Sequence, residues 1–336
     1  MAYDTADEWA RALRALERFG IPVSDAIRDR VPIRYYPETT SLIHADCRAK
    51  RLVDCPRPFI CAAMVSGGAR LYTVPEPEQM AEKGYRRLPR FPVFHVPHDG
   101  RDFPEELKAD VTIPEPDFMA YHEAMRDWDV RRLIPRAYTG DMRQVFGVSR
   151  LLCDVERLIG PEEVMERYGM GFCYEKAYDG TVIKRVTEAT RAASRRYYDE
   201  HHAAVNHLCE RHPRMIFFDM HSYHDAILPP FARAHGKPTP DLCIGTDPRF
   251  TPPALTAIIR RRFGEAGFTL AENEPYGGLY IPESVTDGSV GYDFIGVMLE
   301  FHRRTYCDGS GQTDQRKTEK IRQIIKTVMA DCADLP

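Results

Sequence analysis

No apolar run in the 336-residue sequence approaches the ~20 residues that a membrane-spanning helix needs. The first residues, Met1-Ala2-Tyr3-Asp4, lack the basic-then-apolar profile of a signal peptide, so a cytoplasmic location is expected. There is no surplus of positive charge: the formal net charge is −4, which disfavours a partner bound through its phosphates, such as a nucleic acid. Nine cysteines are present, but they are scattered, odd in number and free of any Cys-x-x-Cys pair. That excludes a zinc finger and a disulfide framework and leaves reduced, mostly buried thiols. Internal repeats and low-complexity stretches are also lacking.

What remains is an ordinary globular composition, 43% hydrophobic and 29% charged. Thr5 and Glu8 form a capping box, and Trp9, Leu13 and Leu16 follow at helical spacing up to Gly20, so a helix is predicted there. From residue 21 to about 91 the pattern is irregular and gives short strands and loops. Residues 1–90 are therefore expected to be an N-terminal extension or subdomain, and 91–336 a catalytic domain. After Pro92, short apolar runs at 93–96, 145–152, 215–218 and 296–301 alternate with helical stretches at 117–134, 188–211 and 253–266. A last helix is predicted over 313–333, with Ile321, Ile324, Ile325 and Val328 on one face. This alternation predicts an α/β fold, a mostly parallel or mixed central sheet flanked by helices. Such a sheet gathers its functional residues at the carboxyl ends of its strands.

Polar residues follow the apolar runs there. Met215–Phe218 leads into Asp219-Met220-His221-Ser222-Tyr223, and Val93–Val96 into Pro97-His98-Asp99-Gly100. A lone histidine is more often structural than functional; two imidazoles at two strand ends suit zinc. A third run, Val297-Met298-Leu299, carries Glu300 within an otherwise apolar strand. Burial would raise its pKa toward the range useful for proton transfer. A structural ion pair with Arg303 or Arg304 is the competing reading. In Ser149 through Arg157, Arg150 and Arg157 bracket two acids. Guanidinium forks there suit a substrate carboxylate or an oxyanion, and equally an internal ion-pair network.

Seven short pieces in order resemble the N-formylglutamate amidohydrolase family of the zinc carboxypeptidase-like superfamily. They are Val96-Pro97-His98-Asp99-Gly100 with Phe103-Pro104, Asp127-Trp128-Asp129-Val130, Ser149-Arg150 through Asp154-Val155-Glu156-Arg157, Gly169–Cys173 with Asp179-Gly180, Asp219–Tyr223, Asn273-Glu274-Pro275-Tyr276-Gly277-Gly278, and Leu299-Glu300 with Tyr306. The resemblance implies a zinc-dependent hydrolase that cleaves the amide of an N-formyl or N-acyl amino acid, or of a related small amide or peptide. A metal-binding relative without turnover is the non-enzymatic alternative. By the resemblance His98 and His221 hold the zinc, Glu300 is the general base and Arg150 polarises the scissile carbonyl. Arg157 grips a substrate carboxylate, and Asn273, Tyr276 and Gly277 belong to a loop that closes over the substrate. Carboxypeptidases carry a ligating Glu three residues after the first His, where this chain has Arg101. Asp127 is the candidate third ligand, with Asp99 and Glu105 as the others. A second departure is Glu156, where relatives have Asn; an acid beside Arg157 would weaken the grip on a dianionic substrate. The oligomeric state is not legible in the sequence.

Overall fold

In the computed structural model, the described residues are 60–65, 68–73, 90–212, 214–228, 238–286, 293–333 and 335. The predicted N-terminal helix lies outside them. Within the expected extension, Ile60–Val65 (β1) and Gly68–Thr73 (β2) pair as an antiparallel two-stranded ribbon. The main sheet comprises Phe91–Val96 (β3), Arg143–Val145 (β4), Arg214–Tyr223 (β5), Leu242–Gly245 (β6), Leu270–Glu272 (β7) and Asp293–His302 (β8). Its order is β4-β3-β5-β8-β6-β7. β3 runs parallel to β4 and β6 to β7, whereas β8 is antiparallel to β6 and faces Cys243 with Glu300. The helices are Glu105–Lys108 (α1), Glu115–Met125 (α2), Glu188–Arg211 (α3), Pro253–Glu265 (α4), Glu283–Thr286 (α5) and Gln315–Asp331 (α6). None of the described helices is long and apolar enough to cross a membrane. Contacts group the chain into two compact units, one of residues 92–205, 216–282 and 295–336, the other of 1–91, 206–215 and 283–294.

The alternation of strand side chains explains where the site lies. Phe94 and Val96 of β3, Ile216, Phe218 and Met220 of β5, and Ile295, Val297, Leu299 and Phe301 of β8 share one hydrophobic core. Leu255, Ile259 and Phe263 of α4 and Ile321, Ile325 and Val328 of α6 complete it. Each large aliphatic or aromatic side chain buried there contributes about 1.5–3 kcal/mol. Because successive strand residues point to opposite faces, His95, Asp219, His221 and Glu300 must share the other face. The apolar partners on one face thus force these polar residues together on the other.

That face lies beside a long irregular passage between β4 and α3. The predicted strand over 145–152 is corrected here: only Arg143–Val145 pairs as a strand. The amides of Leu152 and Cys153 bond back to the Ser149 carbonyl in a turn. Phe146, Val148, Leu151, Leu152, Cys153 and Val155 are buried all the same, in a second core with Leu107, Phe118, Tyr174 and Ile183. A short apolar run reads alike as a strand or as a buried loop, and here the loop wins. The predicted helix over 117–134 likewise ends at Met125, followed by a single 3-10 turn over Val130–Leu133. All six described cysteines whose side chains are placed are buried free thiols.

Candidate active site

His98 leaves the end of β3 on a tight turn. A Cβ on Gly100 would collide with the Val148 carbonyl, so glycine there lets the 147–157 passage lie against the turn. The Asp127 amide donates to the His98 carbonyl at 2.9 Å, which brings the exit of α2 to the same place. His221 is the third residue of its motif, still inside β5. These local ties bring three predicted residues into a ring. His98 Nδ1 is 3.3 Å from His221 Nδ1, which is 3.1 Å from Asp127 Oδ2, and His98 Nδ1 is 3.8 Å from the same oxygen. All three side chains are buried.

Those separations match what a zinc-class ion requires. Ligands about 2.1 Å from a tetrahedral ion stand about 3.4 Å apart. The remaining nitrogen of His98 is engaged, since Nε2 bonds Asp154 Oδ1 at 2.9 Å. A carboxylate on the far nitrogen fixes the ring and leaves Nδ1 facing the centre. Asp99 is engaged by bonds of its own. Its carboxylate serves Arg126, the Arg131 guanidinium and the amides of Asp129 and Arg131. Glu105 pairs with Lys108 on the surface.

Glu156 takes a position that the sequence did not suggest. Its carboxylate faces imidazoles, with Oε1 3.3 Å from His221 Nε2 and Oε2 3.5 Å from His98 Nε2. No ion pair joins it to Arg157 among the described residues. Arg157 instead approaches Asp154, with Nε 3.7 Å from Oδ2. Asp154, the other acid between the two arginines, is the hub of this side. It accepts from Arg150 at 2.9 Å, from the Tyr174 hydroxyl at 2.8 Å and from the Glu156 amide at 3.1 Å. Burial opposes its ionisation, but His98, Arg150 and Arg157 overcome it and hold its pKa well below the usual carboxylate range. Asp127 is likewise lowered against burial, by His221, His98 and Arg150. His221 is buried too, yet Glu156 and Asp219 hold its pKa well above that of a free imidazole. The surroundings thus favour positive charge at this spot.

Glu300 lies on β8, buried, with no hydrogen bond or ion pair to its carboxylate among the described residues. Burial, reinforced by Asp127 and Glu156 against His221 and Arg150, pushes its pKa up to about 8. The competing partners are engaged elsewhere: Arg303 donates to the carbonyls of Ala124 and Arg126, and Arg304 to Asp241 and Thr239. Arg150 Nη1 is 3.8 Å from Asp127 Oδ1, so its guanidinium reaches the ring. Tyr276 is half-buried; burial and the Glu300 charge both raise its hydroxyl pKa, which places it near the base. Asn273 has positive φ, and its side chain binds Thr246 and the Gly278 amide, so it shapes the loop. Gly277 packs against Asn273, where a Cβ would be only 3.0 Å from the Asn273 Cβ.

Fold and site together define an α/β protein with a cluster of His98, Asp127, Glu156 and His221, of which His98, Glu156 and His221 could hold a metal ion, beside a high-pKa glutamate. Comparison gives the family. A profile of N-formylglutamate amidohydrolase matches residues 92–307, and the chain belongs to that family. The crystal structure of N-formylglutamate amidohydrolase from Ralstonia eutropha JMP134 is similar, with a TM-score of 0.55 and 19% identity over 73% of this chain and 94% of that one. A gene product of Agrobacterium tumefaciens gives a TM-score of 0.50 and 18% identity over 72% of this chain and 90% of its own. No curated protein matches the sequence.

Proposed function

We propose that the chain is a zinc-dependent amidohydrolase of N-formyl or other small N-acyl amino acids. The observation that carries this reading is the ring of two imidazole nitrogens and one carboxylate oxygen, 3.1–3.8 Å apart, with Glu300 beside it. His98, Asp127 and His221 would hold the ion, which would supply an activated water and a polarised carbonyl at neutral pH.

The residues of the chain do the rest. Glu300, ionised, accepts a proton from the attacking water and returns it to the leaving amine. Its raised pKa suits both transfers near neutrality. Arg150 is held by Asp154 with its guanidinium toward Asp127, where it opposes the charge that develops on the amide oxygen. Arg157, whose Nε approaches Asp154 without a hydrogen bond, takes the carboxylate of the amino-acid portion. Tyr276 and Gly277 line the approach. The test is metal analysis of the purified protein together with turnover of N-formyl and N-acetyl amino acids, N-formylglutamate included. About one zinc per chain at the ring and metal-dependent release of formate or acetate are expected. A protein that binds no divalent metal, or that hydrolyses none of the panel, would end this reading.

A further inference from the structure

A second group of ligand-type side chains lies on the same sheet face, outside the ring. His95 Nδ1 is 2.9 Å from Asp219 Oδ1 and 3.8 Å from Glu156 Oε1. His95, Glu156 and Asp219 bring one donor atom each within the span that a single ion bridges. We propose that His95 Nδ1, Asp219 Oδ1 and Glu156 Oε1 form a second divalent-cation site adjacent to the His98–Asp127–His221 ring. The proposal rests on the metal-dependent reading above for its neighbour and adds an ion to it.

Two observations carry it. First, the other donor atom of two of these ligands is engaged elsewhere, which turns His95 Nδ1 and Asp219 Oδ1 toward each other and His95 Nδ1 toward Glu156. His95 Nε2 meets His201 Nε2 at 2.9 Å, and the Tyr280 amide donates to Asp219 Oδ2 at 3.1 Å. The Tyr280 ring also stacks on His95, with centroids 4.7 Å apart. Engaged far atoms are how protein metal sites orient their ligands. Second, buried atoms at this place have no hydrogen-bond partner. Glu156 Oε1 has none, nor does His221 Nε2, which stands 3.2 Å from Asp219 Oδ1 and 3.3 Å from Glu156 Oε1. The His221 side chain is only 6% exposed. A buried carboxylate oxygen without a donor is costly, and a cation satisfies it. One imidazole with two carboxylates suits zinc or manganese.

The test is zinc stoichiometry on the full chain, stripped with chelator, dialysed against Zn²⁺ and read by plasma mass spectrometry. Two zincs per chain are expected in the wild type and one in Glu156→Gln and in His95→Gln, each checked for folding by circular dichroism. Manganese loading gives a second reading: a spin-coupled spectrum in the wild type that becomes a single-ion spectrum in Glu156→Gln. A wild type that saturates at one zinc, with Glu156→Gln unchanged, overturns the second site and leaves the first standing. A wild type that takes up none overturns both. The wild-type stoichiometry decides the matter even should a variant fail to fold.

Discussion

Replacing Asp154 with Asn removes the one carboxylate that holds His98, Arg150, Arg157 and Tyr174 in register. It is fully buried, and its contacts at 2.8–2.9 Å run to three of these groups. An amide of the same size still accepts through one oxygen, but its NH₂ turns a donor toward a guanidinium or the hydroxyl. Two arginines then lose their shared counter-charge. Removing one partner of a buried ion pair costs about 3–5 kcal/mol. The loss of a carboxylate behind a ligating histidine costs about 10–100-fold in metal affinity. Denaturant unfolding of the metal-free protein measures the first quantity, and zinc competition with a chromophoric chelator the second. The pH dependence fixes the cause. The folded pKa of Asp154 lies well below its ordinary 3.8, so its stabilisation is fully present above that value. It is lost as pH falls through the folded value, because the unfolded chain takes up the proton first. The variant should lack this acid-side contribution. A variant destabilised by less than about 1 kcal/mol, with wild-type zinc affinity, would show that Asp154 holds nothing in place.

Three further outcomes are expected. Glu300→Gln should retain metal and fold while kcat falls by about 10²–10⁴-fold. Because the base must be ionised, wild-type kcat/KM should rise with pH through the Glu300 pKa; a bound cation moves that limb below the value of about 8 found without one. A pH–rate profile of the wild type with no acid limb would argue against Glu300. His98→Ala and Asp127→Asn should each weaken zinc binding with little loss of secondary structure, read by metal analysis and circular dichroism; full occupancy in either removes that residue from the ring. Lys184 is fully buried, and burial lowers its pKa from 10.5 to about 8. The burial penalty is complete below pH 8 and is relieved as pH rises toward 10.5, because the folded chain sheds its proton first. At 1.36 kcal/mol per pKa unit that gap is worth about 3 kcal/mol. Lys184→Met should therefore stabilise the protein at pH 7 and flatten its stability between those limits, which denaturation across pH would show.

The sequence by itself determined the sheet face and most of the ring. The pattern Ile216-Phe217-Phe218-Asp219-Met220-His221 already sets the parity that sends Asp219 and His221 away from the core, because strand side chains alternate. The same rule carries Glu300 to that face, and β5, β8, α3 and α4 lie close to where the apolar periodicity put them. β6 and β7 were not legible: four and three residues are too short for a pattern to register. The 145–152 run was misread for a related reason. Its apolar residues are buried by the second core and not by pairing, and burial alone leaves the same trace in composition. Which carboxylate faces His221 was also left to the tertiary structure. Asp127, Asp99 and Glu105 are all near His98 in sequence or motif, and hydrogen bonds engage Asp99 with Arg131 while Asp127 faces His221. The direction of Glu156 belongs to the same class. A sequence places it beside Arg157 along the chain, but the turn at Asp154 points its carboxylate at three imidazoles, because contact in space follows backbone direction and not residue number.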